Sequence, residues 1–95
     1  MNKISMVAQI SQPVTLSSTR DDEPYCWVWY SVYNDIGQLE LNIGEPMYGQ
    51  RAVWACQNLR QGQTVLVDGR IVEYHDRWSN IYKYKVKSER LELIA

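Results

Sequence analysis

The sequence predicts a small all-β domain with one helix between its third and fourth strands. Three observations predict it. Apolar residues alternate with period two in five separate runs, one run of helical spacing falls between the third and fourth of them, and 95 residues leave room for one core. A chain of this size buries about two-thirds of the surface its unfolded form exposes, so residues 1–95 are expected to form a single domain. With 45% hydrophobic and 22% charged residues and only 3 Pro and 5 Gly, the composition fits a packed domain and excludes a disordered or fibrous chain.

The elements follow in order. From Ile4 to Leu16 the even positions are mainly apolar (Ile4, Met6, Ala8, Ile10, Val14, Leu16), which predicts a long first strand with one buried face. Pro13 lies inside it and donates nothing to a ladder, so an edge position or bulge is expected there. Ser17 to Pro24 reads as a solvated loop carrying Asp21, Asp22 and Glu23. Tyr25 to Tyr33 is the second strand, with Cys26, Val28, Tyr30 and Val32 on one face and Tyr25, Trp27, Trp29, Ser31 and Tyr33 on the other. Both faces are apolar although a small domain has one core. The second face must therefore meet a partner or a ligand.

Asn34 to Gly37 is a turn, and Leu39, Leu41 and Ile43 mark a third strand ended by Gly44 and Pro46. From Gly49 to Leu59 the pattern is helical, with Ala52, Ala55, Cys56 and Leu59 on one side and Gly62 as the stop. Thr64 to His75 is the fourth strand, Asp76 to Asn80 a turn, and Ile81 to Ser88 the fifth strand, where Tyr82, Tyr84 and Val86 alternate with Lys83, Lys85 and Lys87. The apolar phase then moves to Leu91 and Leu93. That shift predicts a bulge or break between Ser88 and Arg90.

There is no Phe, but there are 4 Trp and 7 Tyr, so every large ring carries a polar group that needs a partner or a wet surface. The net charge of -1 excludes a strongly basic nucleic-acid binder and leaves room for charge gathered on one face. Two Cys thirty residues apart, no apolar leader after Met1 and no apolar run near about eighteen residues point to a soluble cytoplasmic protein without a membrane span.

Three strands, a helix and two strands are the arrangement of the five-stranded OB-fold barrel, in which the helix plugs one end. A ferredoxin-like fold needs a helix where Ser17 to Pro24 stands, whereas an SH3-like barrel stays open as an alternative that leaves the helical run unexplained. The segment Gly49 to Ile71 (GQRAVWACQNLRQGQTVLVDGRI) resembles the helix and fourth strand of bacterial single-stranded DNA-binding proteins, most closely from Arg60 to Ile71. Asn2-Lys3-Ile4 with Val7 is similar to that family's first strand, and Pro24-Tyr25-Cys26 resembles the second strand of primosomal replication protein B. The chain departs from the family in lacking a Trp in the third strand and an acidic tip after Leu93-Ile94-Ala95, and its loop between strands four and five is shorter. The resemblance implies a stand-alone OB domain that binds single-stranded DNA.

Lys83, Lys85 and Lys87 repeat along one strand face at roughly 6.6 to 6.8 Å, close to the phosphate spacing of an extended single strand. The same pattern fits a solvated face or edge protection by lysine. Arg70 and Tyr74 extend the surface from the neighbouring strand. Trp27, Trp29 and Tyr33 offer a stacking platform for bases, and equally fit an oligomer interface. Trp78, beside Arg77, lies near where the family carries a stacking Trp. His75 is the only histidine, and with Cys26 and Cys56 it makes neither a triad nor a metal site, so no catalysis, metal or cofactor is expected.

The expectation is a largely sequence-independent single-stranded DNA-binding protein of replication or repair, acting as a homodimer or homotetramer. RNA is open as a ligand, because stacking and phosphate contacts do not report the 2′-hydroxyl. The alternative is an OB-type protein-interaction module of the primosome kind that docks replication proteins.

Overall fold

The computed structural model describes residues 2–95, so Met1 of the expected domain lies outside the described residues. Its elements are β1 (Ile4–Ile10), β2 (Ser17–Ser18), β3 (Pro24–Tyr33), β4 (Leu39–Tyr48), α1 (Gln50–Asn58), β5 (Thr64–Asp76) and β6 (Ile81–Leu93). The predominantly β character and the single helix after the third long strand match the sequence reading.

β1 is shorter than its alternation suggests. The chain leaves the ladder after Ile10 and returns at Ser17, and Pro13, which has no N–H to give, lies in the gap. Ser17 and Ser18 then pair with Tyr25 and Pro24, across a turn in which the Thr19 N–H donates to the Glu23 carbonyl at 2.8 Å. The segment expected to be a loop thus adds a sixth short strand.

β1 is central. It pairs antiparallel with β5 from Ile4↔Gly69 to Gln9↔Thr64, and with β3 only at Gln9↔Ser31 and Ile10↔Tyr30. β2 takes that β3 edge at Pro24 and Tyr25 only, β4 runs along the other edge, and β6 pairs with β5. β4 and β6 lie against each other, but no backbone ladder joins them, so the sheet is antiparallel and not closed.

β4 does not stop at Gly44 and Pro46. It continues to Tyr48, since this strand has a ladder partner on one edge only and can carry a proline there. At Gly44 the missing side chain is the point: a Cβ would meet Trp27 Cε3 at 2.9 Å and Trp29 Cζ3 at 3.0 Å, so only glycine lets both indoles lie over the strand.

The bulge expected near Ser88 to Arg90 is present. Asp68 pairs with Arg90 and Gly69 with Ser88, leaving Glu89 as the extra residue, and a Cβ on Gly69 would run into the Lys87 carbonyl. β6 continues through it to Leu93. The core is the inward face of every long strand, including Ala8, Ile10, Val28, Tyr30, Val65 and Val67, capped by Ala52 and Ala55 of α1 and by Leu59 just after it. Tyr82 and Tyr84, which share the phase of the buried Val86, do not join it. They are 66% and 61% exposed, because the distal β5–β6 hairpin extends beyond the core as a free arm.

Candidate nucleic-acid interface

The β5–β6 register decides which side chains share a face. Arg70 lies opposite Lys87, Val72 opposite Lys85 and Tyr74 opposite Lys83, so all three lysines stand on one side of the arm with Arg70 and Tyr74. This face overlooks the unladdered seam between β4 and β6. There the two elements enclose a cleft of about 560 Å³, to which Arg51, Arg70, Lys85 and Lys87 contribute positive charge and Pro46, Tyr48 and Val72 apolar surface. Among the described residues the only acid lining it is Glu45, and that carboxylate is buried and already engaged. A chain with a net charge of -1 thus gathers four cations at one cleft.

Glu45 holds the seam together. Its Oε1 accepts the Tyr30 hydroxyl at 2.6 Å, and its Oε2 accepts the Ser88 N–H at 2.8 Å and the Ser88 hydroxyl at 2.7 Å. Arg51 stands 3.6 Å from the same carboxylate and donates to the Ser88 carbonyl at 2.9 Å and to the Ser88 hydroxyl. One buried carboxylate therefore ties the β3–β4 hairpin to α1 and β6, to which no backbone ladder joins it among the described residues. Burial, the Glu45 charge and its hydrogen bond push the Tyr30 phenol far above its ordinary range, so Tyr30 stays a donor.

The aromatic row runs over the neighbouring strands. Trp27 and Trp29 lie nearly parallel, with ring centroids 5.7 Å apart, over the bare backbone of Gly44. Tyr25 stacks on Tyr48 at 5.7 Å, and its hydroxyl accepts the Trp27 indole N–H at 3.0 Å. Tyr74 reaches across from the arm to within 6.2 Å of Trp27, and the Lys85 ammonium sits 5.2 Å from the Tyr74 ring centre. Aromatic platform and cationic strand are thus continuous through Trp27, Tyr74 and Lys85.

Four expected residues stand apart from this cluster. The ladder slips between Val32 and Tyr33, and Tyr33 lines a different cleft with Val7, Gln9 and Thr64. Arg77 and Trp78 occupy the tip of the arm, where Trp78 is 99% exposed. The Lys83 ammonium pairs with Asp76 at 2.8 Å, an interaction that raises the lysine pKa and, with the Ser79 hydroxyl, lowers the Asp76 carboxyl to about 2.

Tyr48, Arg51 and Glu45 belong to the site and escape sequence reasoning. Arg51 lies on the polar side of a helical wheel and Glu45 sits between two residues that read as strand terminators, so neither carries a periodic signal. Cys26 is buried, which raises its thiol pKa, and the described residues hold no group of three metal-ligand side chains. Among the described residues no helix is long and apolar enough to cross a membrane. Neither a protein-family model nor a curated protein matches the chain.

Proposed function

We propose that this chain is an OB-type domain that binds single-stranded DNA through its backbone and base faces with little dependence on sequence. The strand order β4-β3-β1-β5-β6, with β4 and β6 meeting and a helix between β4 and β5, supports the barrel reading. One observation carries the function: the cations of the seam cleft and the indole row are joined through Lys85, Tyr74 and Trp27. A polyanion lies along the first while its bases stack on the second, which is the combination that holds single strands. Arg70, Lys85 and Lys87 neutralise phosphates, with Arg51 at the end of the cleft. The protein catalyses nothing in this reading and serves replication or repair in the cytoplasm, and RNA fits the same surface.

The test uses the four tryptophans as reporters. Oligo-dT added at low salt should change their fluorescence saturably, and added salt should reverse it. No binding at tens of micromolar protein and low salt would sink the proposal.

A homodimer or homotetramer belongs to the same proposal. Among the described residues β1 has no strand partner on the side facing away from β5 between Ile4 and Ala8, and Val7 and Tyr33 are exposed beside it. Sedimentation at a protomer mass would overturn this part. The second reading, a module that docks replication proteins, is favoured by the arm, where Trp78, Ile81, Tyr82 and Tyr84 all lie open. Its signature is a partner whose binding is lost in Trp78→Ala while oligo-dT binding is absent from the start.

A further inference from the structure

A second cleft borders the aromatic row on the opposite side of β3, and its chemistry differs from that of the first. It measures about 230 Å³ and is walled by Tyr25, Trp27 and Trp29 on one side and by Gln12, Thr15 and Ser17 on the other. Among the described residues no charged side chain lines it. Phosphates follow Arg70, Lys85 and Lys87 of the seam cleft in the proposed function, so this neutral recess suits what a strand carries on its other side. Its volume is below the range of about 300 to 1,000 Å³ typical of drug-sized ligands, which limits it to a single ring system.

The backbone supplies the decisive groups. Trp27 lies opposite Pro46, which has no N–H, so Trp27 occupies a position of the β3–β4 ladder that exchanges no hydrogen bonds. Its own N–H and C=O must then point to the other edge of β3. The phase is fixed two residues on, where the Trp29 carbonyl accepts the Ser11 N–H on that edge at 2.9 Å. β2 takes up this edge at Tyr25 and β1 at Tyr30, while the departure of the chain between Ile10 and Ser17 leaves Trp27 without a strand partner. Among the described residues its N–H and C=O have no hydrogen-bond partner on that edge. An adjacent donor and acceptor, flanked by indoles, thus face a recess whose opposite wall carries the polar side chains of Gln12, Thr15 and Ser17. Polar backbone at a half-buried position demands partners.

We infer that this recess takes the Watson–Crick edge of one unpaired base, which Trp27 holds with its backbone N–H and C=O. Each nucleobase presents a donor next to an acceptor on that edge, so the backbone pair grips any of the four. In a duplex the same edge is already occupied, and the pocket therefore selects single strands by chemistry as well as by shape. This inference rests on the proposed single-strand binding and adds to it the group that distinguishes unpaired from paired bases.

The experiment alters the ligand and leaves the protein intact. Short oligo-dT and the same oligomer built from N3-methylthymine carry equal charge and both can stack, but the methyl group removes the N3–H donor and crowds the edge. The methylated oligomer should bind at least about tenfold more weakly at one salt concentration, with an unchanged dependence on salt, because a bidentate base contact is worth roughly that much. Equal affinity for the two would overturn the inference and leave the cationic path standing. Weaker binding together with a shallower salt dependence would also overturn it, since the loss would then lie in the phosphate contacts. If neither oligomer binds, the proposed function falls as well.

Discussion

The three lysines of β6 share a face yet should not share a role, and salt titration separates them. Lys85 and Lys87 line the seam cleft with Arg70, whereas the Lys83 ammonium is held 2.8 Å from the Asp76 carboxylate. Single-stranded nucleic acid releases about 0.7 counterion per phosphate neutralised, so Arg70, Lys85 and Lys87 together give a slope of log K against log salt of about -2.1 per protomer. Raising salt from about 50 to 200 mM then weakens binding about twentyfold. Lys87→Ala should bring the slope to about -1.4, and the same salt step should cost about sevenfold. Lys83→Ala should leave the slope where it is. Asp76→Asn should release Lys83 and steepen the slope toward about -2.8, if the freed ammonium joins the path. The assay is tryptophan fluorescence against oligo-dT at four or five salt concentrations. A slope that falls as much for Lys83→Ala as for Lys87→Ala would refute the division, and with it the assignment of the path to the cleft.

Other perturbations test the scaffold and the platform. Tyr30→Phe removes a hydrogen bond to a buried carboxylate and should cost about 1.5 to 3 kcal/mol in urea unfolding. Because the folded phenol keeps its proton at pH values where the unfolded one ionises, its contribution is complete below about pH 10 and is lost as pH rises above that; Tyr30→Phe should flatten this alkaline decline, and an equally steep decline in the variant would show that another group causes it. Gly44→Ala should displace both indoles and cost about 1 to 3 kcal/mol, with a changed near-ultraviolet circular dichroism of the tryptophans as the marker. Trp29→Ala should cost roughly 1 to 3 kcal/mol in oligo-dT affinity while light scattering reports an unchanged mass; a fall to protomer mass would move the indole row to a subunit interface.

The inward faces of β1, β3 and β5 were legible because alternation survives wherever a strand has one wet side, and the Glu89 bulge was legible as a change in that phase. Gly44 and Pro46 misled for a physical reason. Both residues end strands when they must satisfy a ladder on two sides, and β4 has a ladder on one. Val86 is buried while Tyr82 and Tyr84 of the same phase are exposed, because burial depends on how far the core extends, which is a tertiary quantity absent from any local window. Trp27, Trp29, Arg70, Tyr74, Lys85 and Lys87 were readable as a surface because strand period alone groups them within each hairpin. On the side away from β1, what brings the two hairpins together is the seam around Glu45, a single buried carboxylate whose partners lie 15 and 43 residues away in the chain.

The central position of β1 bears on how the protein is made. Its long ladder is with β5, and Ile4 meets its partner Gly69 only after 65 further residues have been synthesised. At about 5 to 20 residues per second that interval is roughly 3 to 13 s, during which the apolar side of Ile4, Met6, Ala8 and Ile10 has no native β5 to cover it. The hairpin of β3 and β4 pairs residues close in sequence and can form meanwhile, offering β1 only the short edge at Tyr30 and Ser31. Translation through β5 therefore sets the earliest moment at which the sheet acquires its middle, and nascent chains arrested before Thr64 should remain sensitive to protease throughout β1.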